Sequence, residues 1–174
     1  PINRAREVYR QASQMLGVKV VGVDVHIGSQ LTNLEPFRMA FTKLAELVDN
    51  LLKDGHEIKC LDLGGGLGIS YQKTNDVQPS LQEYGQIIRE TVGSLGCEIL
   101  VEPGRFIVGN AGSLVSEIIY KKFGEDRELL IVDSAMNDLI RPSLYAAYHE
   151  ILPIKKPNNS SSFACYDVVG PVCE

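Results

Sequence analysis

Three chemistry-bearing segments stand at equal intervals along this chain, each directly after a short apolar run. They are His26-Ile27-Gly28-Ser29-Gln30, Gly64-Gly65-Gly66 and Glu102-Pro103-Gly104-Arg105, and His26, Gly64 and Glu102 are each 38 positions apart. The apolar runs, residues 18–25, 58–63 and 98–101, are short and partly β-branched, the pattern of buried strands. The stretches between them carry helical periodicity. Residues 4–16 place Val8, Ala12 and Met15/Leu16 on one face. A second helix opens on a Thr32/Glu35 capping box and sets Phe37, Phe41, Leu44, Val48 and Leu51 inward. A third, residues 80–95, does the same with Tyr84, Ile87, Ile88 and Val92. Helix and strand alternate three times, which predicts a parallel sheet with right-handed crossovers. In a β/α barrel such units present their chemistry at the C-terminal strand ends, so the three segments would share one mouth. Three units cannot close an eight-stranded barrel.

After Arg105 the pattern changes. Residues 113–122, 128–132 and 163–169 read as strands separated by turn signals. Residues 139–150 hold a short helix broken near Pro142, and residues 157–162 form a polar loop. The expectation is two parts: residues 1–108 as a partial (β/α)8 barrel of TIM type, and residues 109–174 as part of an antiparallel β domain.

Bulk properties narrow the functional class. The net charge of −5 and the lack of a basic run give nucleic-acid binding no electrostatic support. No apolar stretch reaches the roughly 20 residues that span a bilayer. The four cysteines, Cys60, Cys97, Cys165 and Cys173, form no Cys-x-x-Cys pair, which argues against a zinc site and a disulfide framework and favours a reducing cytoplasm. The chain lacks an initiator Met and ends in Val-Gly-Pro-Val-Cys-Glu, so both ends read as cut from a longer protein.

Each loaded segment supports two readings. The glycines at 64–66 either serve a tight turn needing positive φ or bring backbone N–H groups to an anion. They are followed by no Gly-Lys-Ser/Thr, so this is not a P-loop. Glu102 and Arg105 either form a structural ion pair or take different ligand atoms, the acid a basic ring nitrogen and the guanidinium a phosphate or carboxylate. His26 either caps a strand or faces a ligand beside the Ser29 hydroxyl. His56 and His149 have no comparable setting. Arg141 and Tyr145 would share a side of one helical turn and could hold a carboxylate, or simply pack.

Taken in order, HIGSQ, DLGGGLG, EPGR, MNDLIRPSLY and GPVCE resemble the pyridoxal-phosphate decarboxylases of the alanine-racemase-like fold, over essentially the whole chain. The resemblance implies the last three barrel units plus much of the C-terminal β domain. It also implies pyridoxal 5'-phosphate as cofactor and decarboxylation of meso-2,6-diaminopimelate to L-lysine. By the family pattern His26 stacks on the pyridine ring, while Ser29, Gly64, Gly65 and Gly66 surround the phosphate. Glu102 meets the ring nitrogen, and Pro103, Gly104 and Arg105 border the cofactor. Arg105, Arg141 and Tyr145 bind the substrate. Cys173, as proton donor, and Glu174, at the distal amino group, reach into the neighbouring site of a homodimer. An acid at the ring nitrogen keeps it protonated and strengthens the electron sink, which favours a decarboxylase over a racemase. The family's Schiff-base lysine has no counterpart here, so this chain alone is expected to be inactive. The alternatives are a decarboxylase-like binding or regulatory protein, a related decarboxylase of ornithine or arginine type, and a cofactor-free phosphate-binding barrel.

Overall fold

A computed structural model describes residues 2–72, 78–156, 158 and 164–172. The chain divides into two compact units: Pro1–Ser70 with Asn75–Ala111, and Tyr71–Thr74 with Gly112–Glu174.

The first unit is built on strands β1 (Gly22–Asp24), β2 (Cys60–Asp62) and β3 (Glu98–Leu100), parallel and in that order. Gly22 pairs with Cys60 and Cys60 with Glu98, so the register offset between neighbouring strands is the 38-residue interval of the sequence. Alternation along each strand sends Val23 and Leu61 into the buried layer. Against them pack helices α2 (Glu35–Lys53) and α3 (Leu81–Thr91). Phe37, Phe41, Leu44, Val48 and Leu51 recur every three or four positions on α2, and all are buried. Tyr84, Ile87 and Val92 close the core from the α3 side, with the Tyr84 ring edge-on to Phe37 at 5.2 Å. Each fully buried Leu or Phe contributes about 1.5–3 kcal/mol, so truncating Phe41 to Ala would cost about 3–5 kcal/mol.

Several local expectations are corrected. The first helix, α1 (Ala5–Ala12), is shorter than its periodicity suggested, and Val8, Met15 and Leu16 are exposed. It is fixed instead by polar contacts: the Tyr9 hydroxyl donates to the Gly22 carbonyl at 2.8 Å, and Arg6 pairs with Asp54 at the end of α2. The first strand begins only at Gly22, leaving Val18 and Val21 outside it and about half exposed, and it is not buried on both faces, since Val23 is buried and Asp24 exposed. The Thr32/Glu35 capping box does not form. Asn33 supplies its side-chain oxygen to the Glu35 N–H at 2.9 Å, a shorter turn that satisfies the same orphan donor. Ser80 does cap α3, accepting from the Glu83 N–H at 3.3 Å.

The second unit holds β4 (Ile118–Phe123), β5 (Glu128–Val132) and β6 (Asp167–Val169), in that order. The β4–β5 pair is antiparallel, as expected, with a register shift between Ile118 and Tyr120; the β5–β6 pair is parallel, so this sheet is mixed rather than antiparallel. The long segment between β5 and β6 provides the crossover a parallel return requires. It includes α5 (Arg141–Tyr145), where Pro142 lies in the first turn and starts the helix rather than breaking it. The expected polar loop at 157–162 and Phe163 fall almost wholly outside the described residues. No described helix is long and apolar enough to cross a membrane.

Candidate functional site

The parallel ladder continues past the strand ends. The Val25 N–H donates to the Asp62 carbonyl at 3.0 Å, the Leu63 N–H to Leu100 at 3.0 Å, and the Glu102 N–H to Gly64 at 2.8 Å. Two residues beyond the Asp24–Asp62–Leu100 row, the same register brings His26, Gly64 and Glu102 to adjacent strand tips on one face of the sheet.

The glycine turn is closed by its neighbours. A Cβ on Gly64, which has φ +66°, would lie 2.4 Å from the Val25 carbonyl oxygen; one on Gly65 would lie 2.4 Å from that of Glu102. Gly66 is equally close to the Gly28 carbonyl. The turn's amides are partly engaged as well. The Gly64 N–H donates to the Asp62 carboxylate at 2.9 Å and the Gly65 N–H to His26 Nδ1 at 3.3 Å. Because Nδ1 accepts, the neutral imidazole carries its proton on Nε2. The rest of the His26 side chain is exposed.

Ser29, Gln30 and Arg105 form a second cluster beside this one. The Arg105 guanidinium donates to the Ser29 hydroxyl oxygen at 3.0 Å and to the Gln30 side-chain oxygen at 3.2 Å. Since the Ser29 oxygen accepts, its own O–H is left to donate elsewhere. Gln30 is also bound twice to the Ile69 backbone: its amide donates to the Ile69 carbonyl at 2.6 Å, and its oxygen accepts from the Ile69 N–H at 3.3 Å. Arg105 is carried by the short helix α4 (Gly104–Val108), which Pro103 opens by accepting from the Ile107 N–H. The Gly104 N–H turns back to the Glu102 carbonyl at 2.8 Å.

In the second unit Arg141 is held by two aromatic side chains. It donates to the Tyr71 hydroxyl at 2.8 Å and lies 5.2 Å from that ring's centroid. It also meets His149 Nε2 at 3.3 Å, and His149 packs edge-on to Tyr71. Arginine has only donors, so Nε2 accepts and the His149 proton sits on Nδ1. Tyr145 ends the same helix and is 69 % exposed.

Of the residues expected from sequence, His26, Ser29, Gly64–Gly66, Glu102 and Arg105 thus belong to one set of loops in the first unit. Arg141 and Tyr145 lie on α5 in the second. Cys173 and Glu174 lie outside the described residues. Three partners went unrecognised in the sequence. Gln30 was visible inside HIGSQ but carried no rule of its own, and Tyr71 had no signal. His149 has no setting in the sequence, and Arg141 supplies one.

Residues 1–109 match the family described as pyridoxal-dependent decarboxylase, pyridoxal binding domain, and the chain belongs to that family. The chain is 47% identical over 174 residues to the diaminopimelate decarboxylase of Haemophilus influenzae, covering 99% of this chain and 41% of the relative. To that of Neisseria meningitidis serogroup A it is 45% identical over 170 residues, with 98% and 41% covered. Among solved structures, diaminopimelate decarboxylase from Helicobacter pylori complexed with L-lysine matches with a TM-score of 0.89 at 38% identity, covering 99% of this chain and 42% of that one. The chain therefore spans about two fifths of the length of the relatives it matches.

The donor set of the first unit suits a pyridoxal phosphate. A hydroxyl with a donor to spare and a guanidinium stand together, which fits a phosphate. An imidazole and a carboxylate occupy the tips of the two outer strands, on either side of the glycine turn, which fits an aromatic ring bearing a basic nitrogen. The Gly64 and Gly65 N–H groups here donate to the Asp62 carboxylate and to His26 Nδ1.

Proposed function

We propose that this chain is part of a pyridoxal-phosphate-dependent decarboxylase that converts meso-2,6-diaminopimelate to L-lysine. The register that brings His26, Gly64 and Glu102 into one row carries the reading. The barrel architecture is part of it: three consecutive β/α units at residues 1–108, with residues 109–174 contributing to a β domain. The relatives named diaminopimelate decarboxylase, and the L-lysine held by the Helicobacter pylori protein, support the substrate and product.

Bound pyridoxal phosphate supplies an electron sink for the pair left at Cα when carbon dioxide departs. The chain's own residues set the conditions for that step. The Glu102 carboxylate holds a proton on the ring nitrogen, which makes the sink deeper. His26 lays its ring against the pyridine, oriented by the Gly65 N–H at its Nδ1. Ser29 and Arg105 hold the phosphate, Arg105 also meeting substrate, and the Gly64–Gly66 turn and Pro103-Gly104 border the cofactor. Arg141 and Tyr145 bind the distal carboxylate, Arg141 as a fixed cation backed by Tyr71 and His149. Cys173 returns a proton to Cα and Glu174 takes the distal amino group. Both act in the neighbouring site of a cytoplasmic homodimer.

The decisive experiment is Glu102→Gln in the full-length enzyme. Turnover is expected to fall about a hundredfold or more while cofactor affinity changes little. Unchanged turnover would remove the carboxylate from the chemistry and the decarboxylase reading with it.

A further inference from the structure

We propose that Gln30 is the positioning residue for Arg105, a role that rests on the reading of Arg105 as an anion-binding group. Three observations carry it. The Gln30 carboxamide uses both ends on one backbone unit, donating to the Ile69 carbonyl at 2.6 Å and accepting from the Ile69 N–H at 3.3 Å. That double contact fixes the amide plane, and the same oxygen then accepts from Arg105 at 3.2 Å. The Gln30 backbone is itself held at φ +59°, a conformation uncommon outside glycine that must be stabilised by its surroundings.

Those surroundings are visible. On either side of this contact the loops after β1 and β2 are joined by backbone bonds, with the Leu31 N–H donating to Gly66 at 2.9 Å and the Gly68 N–H to Leu31 at 3.0 Å. Leu31 and Leu67 form an isolated parallel bridge there. Gln30 thus stands on a rigid platform made by two loops and extends it to a third, the Glu102–Arg105 segment. Arginine has many rotamers, and a guanidinium anchored through one nitrogen to Gln30 and another to Ser29 loses most of them before any ligand arrives. A shorter amide could not reach Ile69 and Arg105 together, and a hydroxyl could not make the paired contact to both backbone groups of Ile69.

The test is a double-mutant cycle in the full-length enzyme, using Gln30→Met, Arg105→Ala and the combination. Methionine keeps the volume and length of glutamine and removes every hydrogen bond. Two quantities are read: KM for meso-diaminopimelate, and the dissociation constant of pyridoxal phosphate titrated into apoenzyme. Gln30→Met is expected to weaken at least one of them about tenfold in the wild-type background and less than about twofold when Arg105 is already Ala. Equal effects in both backgrounds, or no effect in the first, would overturn the positioning role, because a merely structural residue acts independently of Arg105. If Arg105→Ala alone moves neither quantity, the anion-binding reading fails first, and the role of Gln30 fails with it. Thermal melts accompany each variant. Should Gln30→Met not fold, Gln30→Asn, which keeps the amide but not its reach, is read in the same cycle with the same criteria.

Discussion

Gly65→Ala tests whether the strand tips are packed as tightly as the register requires. Gly65 does not adopt a left-handed backbone, so alanine suffers no dihedral penalty there and any effect is steric. The new Cβ would lie 2.4 Å from the Glu102 carbonyl oxygen, where ordinary contact begins at 3.4 Å, so that carbonyl must retreat by about 1 Å. The retreat strains the bond from the Glu102 N–H to Gly64, now 2.8 Å. Overpacking of this kind costs about 1–3 kcal/mol and a weakened ladder bond about 0.5–1.5 kcal/mol, together about 2–4 kcal/mol. For a domain of 150–250 residues that corresponds to a Tm lower by about 4–16 °C. The displacement falls on Glu102 itself, and a 1 Å misplacement of a catalytic group can cost about a hundredfold in rate. Gly85→Ala is the control. Its Cβ would meet only the Arg89 guanidinium at 3.7 Å, inside α3, and alanine there should stabilise by about 0.5–1 kcal/mol. Calorimetry and steady-state turnover on the two full-length variants decide the matter. If Gly65→Ala melts with the wild type and retains turnover, the tips are not in contact and the shared row of His26, Gly64 and Glu102 is wrong.

Arg141→Ala should raise KM for meso-diaminopimelate about a hundredfold with a smaller change in kcat, since it removes a charge-assisted contact present in the ground state. Tyr71→Phe, which deletes only the hydroxyl at 2.8 Å from Arg141, should raise KM about threefold to tenfold; no change would show that Arg141 needs no support from that side. In the second unit the Ser116 hydroxyl, and then the Glu117 N–H, hold the Asp133 carboxyl below its ordinary value. A depressed carboxyl stabilises the folded state above its unfolded pKa. That contribution is lost as pH falls below about 4 and through the lowered folded value. Protection of the Glu117 and Asp133 amides, their exchange measured against that of the unfolded chain at the same pH, should therefore fall in acid, and Asp133→Asn should flatten that pH dependence. An equally steep variant would refute the assignment.

What was legible in the sequence was what repeats. The 38-residue interval became the strand register because each unit spends the same number of residues on its helix and turns, so equivalent positions meet across the ladder. The inner face of α2 followed from its period for the same reason. What stayed hidden depended on contacts that obey no interval. Tyr9 anchors α1 through a hydroxyl to Gly22, while the apolar residues that looked like its packing face remain exposed. Asn33 rather than Thr32 meets the Glu35 N–H at the start of α2, because a short side chain bonds two residues ahead without the reciprocal reach a capping box demands. The parallel β6 could not be foreseen from strand patterns that fit either direction. His149 acquires meaning only from Arg141, and Gln30 only from Ile69 and Arg105.

The glycine turn shows why motif and mechanism have to be argued separately. Glycines at 64–66 invite the idea that a ligand approaches the backbone. Here the space a Cβ would fill at each of the three is already taken by a carbonyl of a neighbouring loop. Any chain with these three strands at this register would need glycine there, whatever its ligand. On the proposed reading, chemical discrimination comes from side chains that packing alone does not demand: the Ser29 hydroxyl, the Arg105 guanidinium, the His26 ring and the Glu102 carboxylate. His26 and Glu102 are exposed at their strand tips, and a carboxylate left in water contributes little to the fold. Glu102→Gln should accordingly leave the melting temperature within about 1 °C of wild type while turnover collapses. A matched loss of stability and turnover would mean that Glu102 serves the scaffold, and the acid would have to be sought elsewhere in the row.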